Sequence, residues 1–237
     1  MTAIRELNIL FLGETGVGKS TWINGFANYA SYSTLNEAEK NADVCLIPTK
    51  LTMTNDNFEE VEVKTGTDMN ESQQVGRSST QMPKSYVFKR GRVHVRIIDT
   101  PGIGDTQGID QDRINMQNIM THISTLNEIN GICILLKPNN SRPTAMFYFC
   151  IKEFLTHLHR DAFKNIVFCF TNARSTFYRP GDTLPPLREL LSTNTEIDVR
   201  LCRETIYCID NESVRFLAAI KQGIKFDENE KKNIIMG

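Results

Sequence analysis

The chain has 237 residues, 40% of them apolar, and a formal net charge of −1. That suffices for the core of one sizeable domain, and it excludes the bulk basic field expected of a nucleic-acid binder or a protein held on an anionic membrane. The six cysteines (Cys45, Cys133, Cys150, Cys169, Cys202 and Cys208) form no Cys-x-x-Cys pair and mostly lie in apolar runs. They read as reduced, buried small hydrophobes of an intracellular protein.

The N-terminus, MTAIRELNILFLGE, runs straight into a strand and a glycine loop. It has no basic n-region, apolar core and small-residue cleavage site, and no run approaches about 18 apolar residues. The expectation is a cytoplasmic chain with no membrane segment.

In chain order, a buried strand at Asn8–Leu12 leads through a glycine loop into a helix over 19–30. Ser31–Lys84 then breaks the rhythm, being polar and weakly patterned, with candidate edge strands at Cys45–Thr54 and Val61–Thr65. It reads as an elaborated loop region. A hairpin follows, SYVFKR, Gly91, then VHVRIIDT, whose buried part is Val93–Ile98. After it come a helix over 110–128, a strand at Gly131–Leu136, a helix over 143–159, a strand at Ile166–Phe170, a helix over 184–193, a strand at Thr205–Ile209 and a helix over 212–222. Short Ile/Leu/Val/Phe strands alternating with helical segments predict an α/β fold with a mostly parallel, doubly wound sheet. The tail FDENEKKNIIMG ends in a short, unfinished apolar pattern.

The glycine loop, Gly13-Glu-Thr-Gly-Val-Gly-Lys19-Ser20, fits G-x-x-x-x-G-K-[ST] between a predicted strand and a predicted helix. Glycines let successive backbone N–H groups turn inward into an anion nest, and the helix N-terminus adds its dipole. The backbone amides of Glu14, Thr15, Gly16, Val17, Gly18, Lys19 and Ser20, with Thr21 behind them, are therefore candidate nucleotide contacts. Lys19 is expected to reach the terminal phosphates, and the Ser20 hydroxyl to bind Mg²⁺. The second motif is Asp99-Thr-Pro-Gly102 at the end of an apolar strand. Asp99 is expected to hold a Mg²⁺-bound water, and the backbone N–H of Gly102 to meet a γ-phosphate. The segment after it, IGDTQGIDQD, is rich in glycine and aspartate, as a segment that reorders should be.

On LNILFLGETGVGKSTWINGFANY, SSTQ ahead of the hairpin, IIDTPGIGDT and IVFCFTNARS, residues 5–222 resemble a translation-factor-class GTPase. Within that class the chain is similar to the group of septins, immunity-associated GTPases and chloroplast import receptor GTPases. The resemblance implies a three-layer P-loop G domain over residues 1–237, with 31–84 as an elaborated switch I region. It implies Mg²⁺-dependent hydrolysis of GTP to GDP and phosphate. A threonine before the second hairpin strand would contact Mg²⁺ and γ-phosphate; Thr80 matches best, with Ser78 and Ser79 beside it. Lys19, Thr80 and Gly102 form the expected catalytic set, and Ser20, Thr80 and Asp99 the metal set.

Ile103 stands where small monomeric switches place a water-orienting glutamine. The expectation is slow hydrolysis in the monomer, stimulated in a nucleotide-dependent homodimer, to which relatives sometimes bring a group across the interface. Arg77, Arg142 and Arg174 are candidates for that group. Where most such enzymes carry Asn-Lys-x-Asp to grip guanine, this chain reads Thr171-Asn-Ala-Arg174. The import receptors carry a Thr-His-Ala form that this resembles. Arg174 has no acceptor for the guanine donors, so the base must be read elsewhere. Asn211, after the last strand, looks like the family's second base-contacting residue, its alternative role being a helix N-cap. Asn172 is expected to pack under or beside the base. The nucleotide is expected to be guanine. A nucleotide-gated assembly switch that does not hydrolyse, and an ATP-using P-loop enzyme, remain alternatives. His157 and His159, two apart, do not make a metal pair.

Overall fold

The computed structural model describes residues 4–41, 44–54, 57–66, 80, 82–104, 108–140, 145–193 and 198–236. Arg77, Ser78, Ser79 and Arg142, and the centre of the glycine- and aspartate-rich segment, lie outside the described residues.

In chain order the elements are β1 (Arg5–Gly13), α1 (Lys19–Ser31), α2 (Leu35–Lys40), β2 (Thr49–Thr54) and β3 (Glu60–Thr65). Next come β4 (Lys84–Arg90), β5 (Val93–Asp99), α3 (Ile109–Ser124), β6 (Gly131–Leu136) and α4 (Ala145–Thr156). The chain closes with β7 (Ile166–Phe170), α5 (Leu184–Ser192), β8 (Ile206–Cys208), α6 (Glu212–Lys221) and α7 (Glu228–Met236). No described helix is long and apolar enough to cross a membrane. The chain divides into two compact units, residues 1–19 with 72–209, and residues 20–71 with 210–237.

The first unit is built on a six-stranded sheet of order β4-β5-β1-β6-β7-β8. Only the β4–β5 hairpin is antiparallel; the remaining neighbours run parallel. This is the expected α/β architecture, a mostly parallel central sheet with flanking helices. Leu10 and Leu12 of β1, Ile98 of β5, Ile132, Ile134 and Leu136 of β6 and Phe168 and Phe170 of β7 enter one cluster. Ile119 of α3, Phe154 and Leu155 of α4 and Leu187 and Leu191 of α5 pack against them. Phe11, between the two leucines, is equally buried, so β1 is covered on both faces and its sequence is apolar without alternation.

Cys133 and Cys169, on the adjacent strands β6 and β7, are buried free thiols. A hydrogen bond with Cys169, with burial behind it, pushes the Cys133 thiol well up and keeps it neutral. Cys45, Cys202 and Cys208 are only half-buried, which corrects the expectation of uniformly buried cysteines.

The second unit holds α1 from Ser20 onward, α2, the β2–β3 ribbon, α6 and α7. Its small core gathers Ala38, Phe216 and Leu217, with Tyr32, Leu35, Ile220, Phe226 and Ile234 around them. The elaborated region does contain two strands, paired antiparallel from Thr49↔Thr65 to Thr54↔Glu60. The first begins four residues later than Cys45. Over residues 44–47 the backbone is satisfied by two asparagines of α1 instead of by a neighbouring strand. Asn24 donates to the Ile47 carbonyl at 2.7 Å and accepts from the Leu46 and Ile47 amides at 3.0 Å. Asn28, one turn on, donates to the Val44 carbonyl at 2.8 Å and accepts from its amide at 2.9 Å. Buried side-chain amides can replace a ladder because each carries both donors and an acceptor. The apolar tail becomes the last turns of α7, tied by a Lys231–Glu39 ion pair.

Candidate nucleotide site

Parallel pairing of β5, β1 and β6 brings their carboxyl ends together, with Leu10 opposite Ile98 and Gly13 opposite Leu135. Ligands of open α/β sheets bind at such an edge. Gly13 is required there by close approach, because a Cβ would lie 2.7 Å from the Leu135 carbonyl oxygen and 2.9 Å from Val17 Cγ1. The chain then turns through Gly16 (φ 74°) and Gly18 (φ 99°), left-handed conformations that suit glycine. The loop closes on itself through Val17 N–H to the Glu14 carbonyl at 3.2 Å.

Lys19 is buried, at 7% exposure. Its Nζ donates to the carbonyls of Gly13 at 3.0 Å and Glu14 at 3.2 Å, so the ammonium is laid back across its own loop. These two carbonyls hold the ammonium over the glycine loop. Ser20 and Thr21 follow directly in α1, both half-buried, as the first residues of the second unit. Tyr148 of α4 has its hydroxyl pushed up to about 12 by burial, with the Glu14 and Glu189 carboxylates adding to the shift. It therefore remains a neutral phenol at physiological pH.

Asp99, at the end of β5, is fully buried. Its Oδ1 accepts the Thr100 amide at 3.1 Å, and its Oδ2 accepts the Thr80 hydroxyl at 3.0 Å. Thr100 is itself anchored by donating to the Phe11 carbonyl at 2.6 Å. The structure thus brings Thr80 and Asp99 into direct contact. Carboxylate and hydroxyl oxygens are the donor types a hard divalent cation takes, so the chemistry of this pair fits Mg²⁺.

Gly102 lies against Thr15, where an added Cβ would be 2.7 Å from Cα and 2.8 Å from N of Thr15. The next residue, Ile103, is fully buried in the main core and forms a parallel bridge with Glu14. Its N–H donates to the Gly13 carbonyl, and its carbonyl accepts the Thr15 N–H, both at 3.1 Å. An apolar residue after the glycine is thus a structural anchor of the segment.

The loop after β7 shows what the altered T-N-A-R sequence does. Thr171 donates its hydroxyl to the Val17 carbonyl at 2.6 Å, with Leu136 O a second acceptor at 3.3 Å. It ties the phosphate loop to β6 and β7 across 154 positions of sequence. Sequence reasoning passed over Thr171; its only signal was the first position of the four-residue motif. A Thr171→Val exchange keeps the shape and removes the donor. We expect a loss of roughly 1–3 kcal/mol, read as a lowered urea midpoint at unchanged m. Asn172 stands exposed at φ 53°, at the strand end where a ligand can reach it. Ala173 N–H donates to the Ile209 carbonyl at 3.1 Å, holding this turn to the end of β8, and Arg174 is half-buried.

Asn211 takes the N-cap position of α6 in the second unit, where it is buried and its side chain makes no capping bond. Gly25 of α1 lies close by, where a Cβ would be 3.9 Å from Asn211 Oδ1. His157 and His159 are exposed, and no group of three His, Cys, Asp or Glu side chains that could hold a metal ion occurs among the described residues.

No family model and no curated protein sequence matches the chain. Solved structures do. Toc33 from Arabidopsis thaliana in complex with Mg²⁺ and GMPPNP matches at TM-score 0.52 and 13% identity, over 93% of this chain and 86% of that one. A dimerisation-deficient mutant of Toc33 matches at 0.52 and 14% identity, over 88% and 72%. A structure of the chloroplast translocon components atToc33 and psToc159, in which dimerisation is important for GTPase activity, matches at 0.51 and 14%, over 88% and 71%. At such identities the likeness establishes the fold: the chain has the fold of a P-loop GTPase G domain.

Proposed function

We propose that the chain binds guanine nucleotide and hydrolyses GTP to GDP and phosphate. The observation that carries this reading is one constellation in the first unit. Lys19 lies buried across a glycine loop, Asp99 is buried and bonded to Thr80, and Gly102 is pressed against that loop. In this reading the amides of residues 14–20 and the Lys19 ammonium hold the phosphates. Bound Mg²⁺ would neutralise phosphate charge, with Ser20, Thr80 and Asp99 as its protein oxygens. Thr80 and the Gly102 N–H sense the γ-phosphate. Asn172, exposed after β7, serves the base in place of the missing aspartate.

Burial of Ile103 favours slow hydrolysis, because no group at that position can orient water. For atToc33 and psToc159 dimerisation is important for GTPase activity. We carry that to this chain as a nucleotide-dependent homodimer. Turnover per molecule, measured from nanomolar to tens of micromolar protein with Mg²⁺ and saturating GTP, is expected to rise with concentration. A flat profile contradicts the dimer.

The same burial supports a second reading, a nucleotide-gated assembly switch that keeps its GTP intact. Single-turnover assays with the enzyme in excess distinguish it, since a hydrolase converts the bound GTP completely.

A further inference from the structure

Two consecutive peptide units after Pro101 are held at both ends. In the first, the Gly102 carbonyl accepts from Asn115 Nδ2 at 3.3 Å, while the Ile103 N–H donates to the Gly13 carbonyl at 3.1 Å. In the second, the Ile103 carbonyl accepts the Thr15 N–H at 3.1 Å, while the Gly104 N–H donates to Asp112 Oδ1 at 3.0 Å. One end of each plane is thus bonded to the phosphate loop and the other to α3. A planar unit whose donor and acceptor are both engaged cannot rotate without losing a bond.

Asp112 and Asn115 are one helical turn apart on the same face of α3, and they are buried at 1% and 3% exposure. Gln111 donates to Asn115 Oδ1 at 2.9 Å, which fixes the amide with its NH₂ toward Gly102. A carboxylate and an amide on the buried face of a helix cost stability against apolar residues. Such departures from an apolar pattern concentrate where function requires them.

We propose that Asp112 and Asn115 are positioning residues that aim the Gly102 N–H and thereby set the preference for a nucleoside triphosphate over its diphosphate. This rests on the GTP-binding reading above. The Gly102 N–H belongs to the peptide unit preceding the two clamped ones and shares Gly102 Cα with them; with that Cα also pressed against Thr15, the clamp narrows the arc through which the N–H can swing. The bonds from the phosphate loop alone hold one end of each plane; the α3 side chains remove the remaining rotation. Diphosphate binding uses the loop and not Gly102, so it is insensitive to this clamp.

The test uses the full chain with Mg²⁺ and measures affinity for fluorescent GDP and a fluorescent non-hydrolysable GTP analogue. Asp112→Ala and Asn115→Ala are expected to weaken the triphosphate analogue about tenfold, a loss matching one hydrogen bond. GDP affinity should stay within about twofold. Asp112→Asn keeps an Oδ1 acceptor for the Gly104 N–H and is expected to restore the wild-type ratio. Equal loss for both nucleotides in the alanine variants overturns the inference and leaves the nucleotide reading standing. Wild-type protein that binds neither nucleotide overturns that reading, and this inference with it. Should the alanine variants fail to fold, amide hydrogen exchange on wild type decides. The Ile103 and Gly104 amides are expected to be protected as strongly as those of β5, and exchange at open-loop rates contradicts the clamp.

Discussion

Lys19→Met is expected to weaken nucleotide binding by roughly 100-fold or more, while the fold survives. The ammonium contributes charge-assisted bonds to phosphate oxygens, each worth about 1.5–3 kcal/mol, and every 1.4 kcal/mol is tenfold in affinity. In the structure it already holds the carbonyls of Gly13 and Glu14, which places the ammonium over the glycine loop. Methionine fills the buried stem of the side chain but supplies neither charge nor donors. Equilibrium titration of a fluorescent GDP checks the first part. Circular dichroism melting, with a midpoint within a few degrees of wild type, checks the second. Because Gly13 and Glu14 lose their donor, a small destabilisation accompanies the affinity loss.

The second large effect is at Gly102. An alanine there would drive Cβ into Thr15 Oγ1 and put it 2.7 Å from Thr15 Cα and 2.8 Å from its N. The hydroxyl can rotate aside; the backbone atoms cannot. The two segments must separate, and their paired bonds between Ile103 and the phosphate loop lengthen or break. Overpacking of this kind costs about 1–3 kcal/mol of stability. We expect Gly102→Ala to lower the melting midpoint and to abolish the difference in affinity between GTP analogue and GDP. Loss of stability with that difference intact would mean that Gly102 is structural only.

The two phosphate motifs were legible because their physics admits few residue types. Gly16 and Gly18 need left-handed backbone, Gly13 and Gly102 need the absence of a Cβ, and Asp99 closes an apolar strand. The parallel strands were legible because burial on both faces leaves unbroken apolar runs. What escaped was polar and long-range. The stretch from Cys45 looks strand-like in composition, yet Asn24 and Asn28 of α1 satisfy the backbone of Val44, Leu46 and Ile47. Thr171 earns its importance from a carbonyl 154 residues away, which no local pattern encodes. Asp112 and Asn115 carry no sequence signal of burial, because helical periodicity assigns polar side chains to water. Their burial follows only from where α3 meets the segment around Ile103.

Isothermal calorimetry of the purified full chain with Mg²⁺, titrating GTP, GDP and ATP in parallel, tests the central claim most directly. Saturable heat with GTP and GDP, weak or no heat with ATP, and loss of the signal in Lys19→Met are the predicted results. Absence of heat with every purine nucleotide, or equal heat in wild type and Lys19→Met, would contradict the account.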